Sequence, residues 1–304
     1  MNTANLQQRI IFAVWAIPLG WFLINAPYSI IPQSFAGRMF LEPQLKILPG
    51  QVLAILLVHI GFYEYSRMLS IRFIRNGFWL VQAWLLYQFI SFFLPDMSLS
   101  STYDIYLLLI LVAIEAIVWG KANGRWKRAS LLFSGAVFIY IAGYSMLHMY
   151  SGPFQAIFAP KFPHAMLSQL GIVVYVSSVF MCDTAAYFAG SLFGRHHFSS
   201  ISPKKTIEGA VAGLLAATLI FSTGWMFLAG DKYPLVLGPI IGLLLGIFAQ
   251  SGDLLVSLIK RYFHVKDASD IIPGHGGILD RFDSIFFTAP ILSVVSLIIE
   301  RVLG

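Results

Sequence analysis

Long apolar stretches alternate with short charged ones along almost the whole chain. Runs near 10–30, 47–67, 77–94, 103–120, 130–150, 167–190, 208–230, 234–256 and 284–302 each approach the roughly 20 residues an α-helix needs to cross hydrocarbon. The pattern predicts an all-α, polytopic integral membrane protein with about nine transmembrane helices. The run near 77–94 is short, and Asp183 interrupts the one near 167–190. Asn25-Ala26-Pro27-Tyr28 reads as a helix end with no small-x-small site after it, so a retained first span is expected rather than a cleaved leader. No internal repeat is evident. The chain divides into an N-terminal half, 1–165, with about five spans, and a C-terminal region, 166–304, with polar loops at 191–207 and 257–283.

Composition agrees with the pattern. Of 304 residues, 58% are hydrophobic and only 11% charged, with a mean hydropathy of +0.78, which excludes an ordinary soluble domain. The lone cysteine, Cys182, lies in an apolar run, excluding a disulfide framework and a Cys-based zinc site and reading as packing. The net charge of +6 is unevenly spread. Across nine spans, Arg9, the cations at 67–75, 121–128 and 195–205, and Lys260, Arg261, Lys266 and Arg281 fall on one side, 15 in all. Arg38, Lys46, Lys161, Lys232 and Arg301 make 5 on the other. The positive-inside rule places the richer side, and with it the N-terminus, in the cytoplasm. The positive charge therefore speaks for topology and anionic lipid, and no nucleic-acid partner is expected.

One window breaks the apolar monotony. From Gly252 to Ser284 the chain carries Asp253, Lys260, Arg261, Lys266, Asp267, Asp270, Asp280, Arg281 and Asp283. Charge of that density beside membrane-grade sequence marks a functional site. If helical, Asp253, Ser257, Lys260 and Arg261 stand at i, i+4, i+7 and i+8 and share a face. A loop follows, with Pro273-Gly274 and Gly276-Gly277 around His275; glycine there admits unusual backbone and close ligand approach. Asp253, Asp280 and Asp283 offer three carboxylates to a hard divalent cation, with Mg2+ suited to carboxylates, waters and substrate phosphates. Lys and Arg alongside suit phosphate oxygens. Plainer roles compete: Lys260 and Arg261 as snorkelling cations, Asp280 or Asp283 as helix caps, His275 as a turn residue, Lys204 and Lys205 as topology markers, and Glu208 as a first-turn acid. Asp183 needs a partner inside its span, from a neighbouring helix or a polar cavity. Glu64 and Glu115 have no evident role.

The run Ser257-x-x-Lys260-Arg261-x4-Lys266-Asp267, followed by Pro273-x-His275-Gly276-Gly277-x-x-Asp280-Arg281-x-Asp283, resembles the signature of the phosphatidate cytidylyltransferases, or CDP-diacylglycerol synthases. Ser202-Pro203-Lys204-Lys205-Thr206-Ile207-Glu208-Gly209 resembles the family's upstream element, and the segment from Asp183 to Gly194 its intramembrane DTxAYxxG element. The resemblance covers the C-terminal half; the first 165 residues match only in being hydrophobic. Ala268 departs from it, standing where a bulkier or hydroxylated residue is expected.

The resemblance implies a Mg2+-dependent membrane nucleotidyltransferase for phospholipid biosynthesis that joins CTP to phosphatidate, giving CDP-diacylglycerol and pyrophosphate. Asp253, Lys260, Asp280 and Asp283 are then expected to be catalytic, with the three acids as metal ligands. Ser202, Lys204, Lys205, Glu208, Ser257, Arg261, Lys266, Asp267, His275, Gly276, Gly277, Arg281 and Asp183 are expected at the substrates. The lipid bilayer is itself a partner, a bacterial inner membrane with the site on its cytoplasmic face is the expected location, and a homodimer is left open. Two alternatives stand: the same chemistry on another lipid phosphate, and a secondary transporter of an anionic solute. Broken spans and an intramembrane acid also suit a transporter, but no inverted repeat is seen and the charges gather at one membrane face.

Overall fold

The computed structural model describes residues 48–69, 75–93, 125–150, 152–158, 169–198, 202, 205–272 and 276–303. Among them lie α1 (Pro49–Met68), α2 (Arg75–Phe93), α3 (Arg125–His148), α4 (Gly152–Phe158), α5 (Leu170–Phe193), α6 (Ile207–Leu228), α7 (Leu237–Tyr262) and α8 (Leu279–Leu303). The only extended pairing in the described residues is two isolated bridges, His197 with Thr206 and Ile272 with Gly276. Among the described residues, five stretches are long and apolar enough to cross a membrane: Ser130–His148 of α3, and α5 to α8. Helices α1 and α2 fall on the expected runs near 47–67 and 77–94. The runs near 10–30 and 103–120, and Glu115, lie outside the described residues, so the expected count of nine extends beyond what is described. Helix α4, at 7 residues, is too short to show as an apolar run.

Small residues set the packing of the C-terminal helices. Gly209, Gly213 and Ala217 recur every fourth position on α6, as do Gly238, Gly242 and Gly246 on α7, and all are buried. A β-carbon at Gly213 would stand 2.6 Å from the Cys182 carbonyl of α5, and one at Gly242 would stand 2.8 Å from Thr218 Cα of α6. Without a hydrophobic drive between helices in lipid, such close backbone approach is what holds them together. The outer faces stay apolar: Leu215, Leu219 and Phe227 are 64%, 64% and 67% exposed, as a lipid-facing surface requires.

Among the described helices, α8 is the most central. It packs on α1, α3, α4, α5 and α7, burying Leu279, Ile285, Phe286, Ala289, Leu292 and Ile299 among others. Tyr175 of α5, fully enclosed, meets Thr288 Oγ1 at 2.7 Å and donates to the Ile285 carbonyl at 3.2 Å. The ends of α5 and α7 and the starts of α6 and α8 gather at one end of the bundle, where they meet the charged window.

Candidate functional site

Of the face read from the sequence, Asp253, Ser257 and Lys260 stay together on α7. Helix α7 runs through the charged segment to Tyr262, and Ser257 Oγ points at Asp253 Oδ1, 3.4 Å away. Lys260, one turn on, reaches across to Asp280 of α8 at 2.5 Å. Arg261 leaves the face: it is exposed, and its Nη1 donates to the Val265 carbonyl at 3.3 Å. His264 ends the helix with a left-handed φ of 57°. The amides of His264 and Val265 turn back to the carbonyls of Arg261 and Lys260, 3.0 Å each. That is a Schellman arrangement with histidine where glycine is usual.

The second block builds a tight loop between α5 and α6. Thr206 is the N-cap of α6 and accepts from the Gly209 amide at 3.2 Å; Ser, Thr and Asp dominate that position because the first helical amides lack partners. Glu208, in the first turn, folds back on the loop. It accepts from the amides of Arg195 (3.1 Å) and His196 (3.3 Å) and meets His196 Nδ1 at 2.6 Å. The His197–Thr206 bridge closes the hairpin, and the Lys205 amide bonds to the Ser202 carbonyl at 3.0 Å. The effect is to aim Lys205 at α7, where its ammonium is paired with Asp253 Oδ2. Glu208 thus works as the clamp of the loop that presents Lys205.

The intramembrane acid finds its partner across helices. Asp183 does not interrupt α5; its Oδ2 accepts from Ser284 Oγ of α8 at 3.3 Å. The same Ser284 hydroxyl lies 3.2 Å from the Ala249 carbonyl of α7, and its amide donates to Asp283 Oδ1 at 2.7 Å. Ser284 therefore stitches α5, α7 and α8 at one point, with an acid on each side. Asp283 is buried, 6% exposed, and feels the charges of Asp253, Asp183 and Lys260. Gly252, just before Asp253, lets α8 approach: a β-carbon there would lie 2.6 Å from that of Phe287. Asp183 and Asp253 sit roughly two and a half to three turns inside the ends of α5 and α7, at about 3.6 residues per turn.

Asp280 faces a different set of groups. Besides Lys260 it takes the amides of Ala268 (2.7 Å) and Gly277 (2.9 Å) on Oδ2. It therefore both organises the α7–α8 loop and holds a lysine. The amide of Ala268 is consumed this way, and its side chain is buried, so a small residue fits the position.

Glu64 of α1, without an evident role in the sequence, finds one in the structure. Its side chain is fully enclosed, 0% exposed, and it is met by three donors: Ser269 Oγ at 2.5 Å, the Ile278 amide at 2.9 Å and the Leu279 amide at 2.6 Å. An acid on α1 thus caps the start of α8, more than 200 residues away. The only hint in the sequence was an acid within an apolar run.

Of the expected site residues, the structure brings together Asp183, Lys205, Asp253, Ser257, Lys260, Gly276, Gly277, Asp280 and Asp283. Lys266, Asp267, Arg261 and Arg281 are exposed around them, Ser202 supports the Lys205 turn, and Lys204 and His275 lie outside the described residues. Four carboxylates (Asp183, Asp253, Asp280, Asp283) face two ammonium groups, Lys205 and Lys260, in direct ion pairs with Asp253 and Asp280. That imbalance fits a divalent cation or another cationic partner. Among the described residues no three His, Cys, Asp or Glu side chains already stand close enough together to hold a metal ion. Gathering Asp253, Asp280 and Asp283 on one ion would require Lys205 and Lys260 to let go.

Comparison with known proteins gives the site its context. The cytidylyltransferase family model matches residues 7–299. A phosphatidate cytidylyltransferase of Bacillus subtilis (strain 168) is 29% identical over 296 residues, 95% of this chain and 96% of that protein. Another, from Synechocystis sp. (strain ATCC 27184 / PCC 6803 / Kazusa), is 38% identical over 143 residues, 46% of this chain and 48% of that protein. One from Staphylococcus saprophyticus is 47% identical over 118 residues, 38% of this chain. With that last relative the match spans 45% of its length, less than half. The family match, in contrast, takes in nearly every described helix, and the chain belongs to the cytidylyltransferase family.

Proposed function

We propose that this chain is an integral-membrane phosphatidate cytidylyltransferase, joining CTP and phosphatidate into CDP-diacylglycerol with release of pyrophosphate. One observation carries the reading: two sequence blocks some 50 residues apart deliver Lys205 and Lys260 to a cluster of four aspartates at one end of an apolar bundle. A site recessed at the end of a lipid-facing bundle suits a substrate whose acyl chains stay in the bilayer while a nucleotide arrives from water.

The chemistry asks for little beyond positioning and charge. A phosphate monoester is largely ionised at neutral pH, so phosphatidate brings its own nucleophile and the site needs no strong general base. One of its oxygens attacks the α-phosphorus of CTP as the bond to the pyrophosphate oxygen breaks. Charge builds on the transferring and leaving groups, and fixed cations aimed there lower the barrier. Lys205 and Lys260 are placed for that, each exchanging a carboxylate partner for a phosphate oxygen. Asp253, Asp280 and Asp283 would hold a Mg2+ ion, which when bound supplies Lewis-acid neutralisation of the triphosphate. Arg261, Lys266 and Arg281 lie exposed around the site, suited to phosphates arriving from water or headgroups.

The uneven spread of Lys and Arg supports a nine-span topology with the N-terminus and the site on the cytoplasmic face of a bacterial plasma membrane. Purified protein given labelled CTP, phosphatidate and Mg2+ should yield a lipid-extractable nucleotide and one pyrophosphate per product. Absence of that product, with phosphatidate in excess and the protein folded, would overturn the assignment.

A further inference from the structure

Two carboxylates clasp the loop between α7 and α8, one from the first turn of α8 and one from the distant α1. Asp280 takes the amides of Ala268 and Gly277; Glu64, from α1, takes the neighbouring Ser269 hydroxyl and the amides of Ile278 and Leu279. Each acid thus grips the same two segments, 268–269 and 277–279. The fit is tight: a β-carbon on Gly277 would stand 2.6 Å from Glu64 Oε2, and one on Gly276 would stand 3.0 Å from Asp280 Oδ2. Gly276 also has a left-handed φ of 82°, which a side chain would strain.

From this clasp we infer that Glu64 is a positioning residue for cytidylyl transfer, an inference that rests on the function proposed above. It fixes the turn from which α8 departs. Through that turn it sets the aim of Asp280 with its Lys260 partner, and of Asp283 one turn further. The first amides of a helix have no partner within it and carry the positive end of its dipole. A carboxylate has two oxygens able to accept from several donors at once; an amide has one, and turns an N–H toward whatever the other oxygen was holding. Glutamine at this position keeps the shape and loses the grip. The role also gives the N-terminal half a part in the chemistry, since α1 contributes this acid.

The test uses the full-length protein in detergent or nanodiscs, comparing wild type with Glu64→Gln. Three things are measured on the folded fraction: kcat and KM for CTP, hydrogen exchange of peptides covering 268–282, and the melting temperature. The proposal expects faster exchange in those peptides and a fall in kcat of about thirtyfold or more, the scale on which a small misplacement of reacting groups acts, with KM for CTP changed by less than about threefold. A merely structural role lowers only the melting temperature; kcat within about threefold of wild type, or unchanged loop exchange, overturns the proposal. Should Glu64→Gln fail to fold, Ser269→Ala removes a single donor and decides instead: a several-fold fall in kcat with faster loop exchange upholds the proposal, and no change in either overturns it. If wild type itself does not turn over CTP with phosphatidate, the proposed function and the catalytic part of the inference fall together. The exchange data then judge the clasp alone.

Discussion

The ammonium of Lys205, in the loop entering α6, is paired with the carboxylate of Asp253 on α7, and both side chains are about a third exposed, 30% and 29%. Exposed ion pairs contribute only about 0–1 kcal/mol, so this contact is a poor candidate for a structural strut. It holds a cation beside an acid cluster, ready for exchange with phosphate. Lys205→Ala should therefore leave the melting temperature within a few degrees of wild type while CTP turnover falls by about 10²-fold or more, as when a charge-stabilising donor is removed. Thermal unfolding and steady-state rates on the same preparation check this; a large loss of stability with normal specific activity would contradict it.

The Lys260–Asp280 pair is of another kind, with side chains only 12% and 7% exposed. Removing one partner of a buried pair typically costs about 3–5 kcal/mol. Asp280 keeps two amide donors, so Lys260→Met should fall toward the lower end of that range, and Asp280→Ala, which orphans Lys260 and both amides, should be worse. Denaturation of the two variants side by side gives the order; equal stability of both with wild type would refute the assignment of Asp280 as loop organiser.

Asparagine substitutions separate the acids. Asp280→Asn keeps one oxygen for the two amides but turns an N–H toward Lys260, so it should lose both stability and rate. Asp283→Asn keeps the acceptor for Ser284 and lowers the crowding of negative charge, so its fold should persist while turnover drops by orders of magnitude. Asp253→Asn should behave like Asp283→Asn. If Mg2+ is held by these acids, chelation by EDTA should abolish turnover in wild type, and excess Mg2+ should restore it. Full activity of both the Asp253 and Asp283 variants would remove them from the chemistry.

Topology has its own check. In a Cys182→Ser background, single cysteines placed in the 195–198 loop should react with membrane-impermeant reagents only from the side that carries the N-terminus. Labelling from the opposite face would reverse the orientation and move the site away from the nucleotide.

Much of this was legible in the sequence because it is local. Asp253, Ser257 and Lys260 declare a shared face through helical spacing. Thr206 and Glu208 announce a helix start, and their hydrogen bonds stay within 13 residues. What could not be read is set by packing between distant helices. Ser284 joins Asp183 across 101 residues, and Glu64 reaches Leu279 across 215. An acid in an apolar run announces that it needs partners but not where they are. Arg261 lies on the predicted face by spacing, yet the end of α7 draws it to Val265. Asp280, read as one of three metal ligands, turns out to be engaged with Lys260 and two amides because the Gly276-Gly277 turn folds onto it.

The most direct test of the whole account follows the phosphorus. CTP labelled at the α-phosphorus and CTP labelled at the γ-phosphorus are supplied in parallel, with phosphatidate and Mg2+, to the purified protein. Attack by phosphatidate on the α-phosphorus predicts that the α-label passes into the lipid extract and the γ-label leaves entirely as pyrophosphate, in equal amounts. Label from the γ-phosphorus in the lipid, or release of pyrophosphate without any lipid-bound nucleotide, would contradict the account.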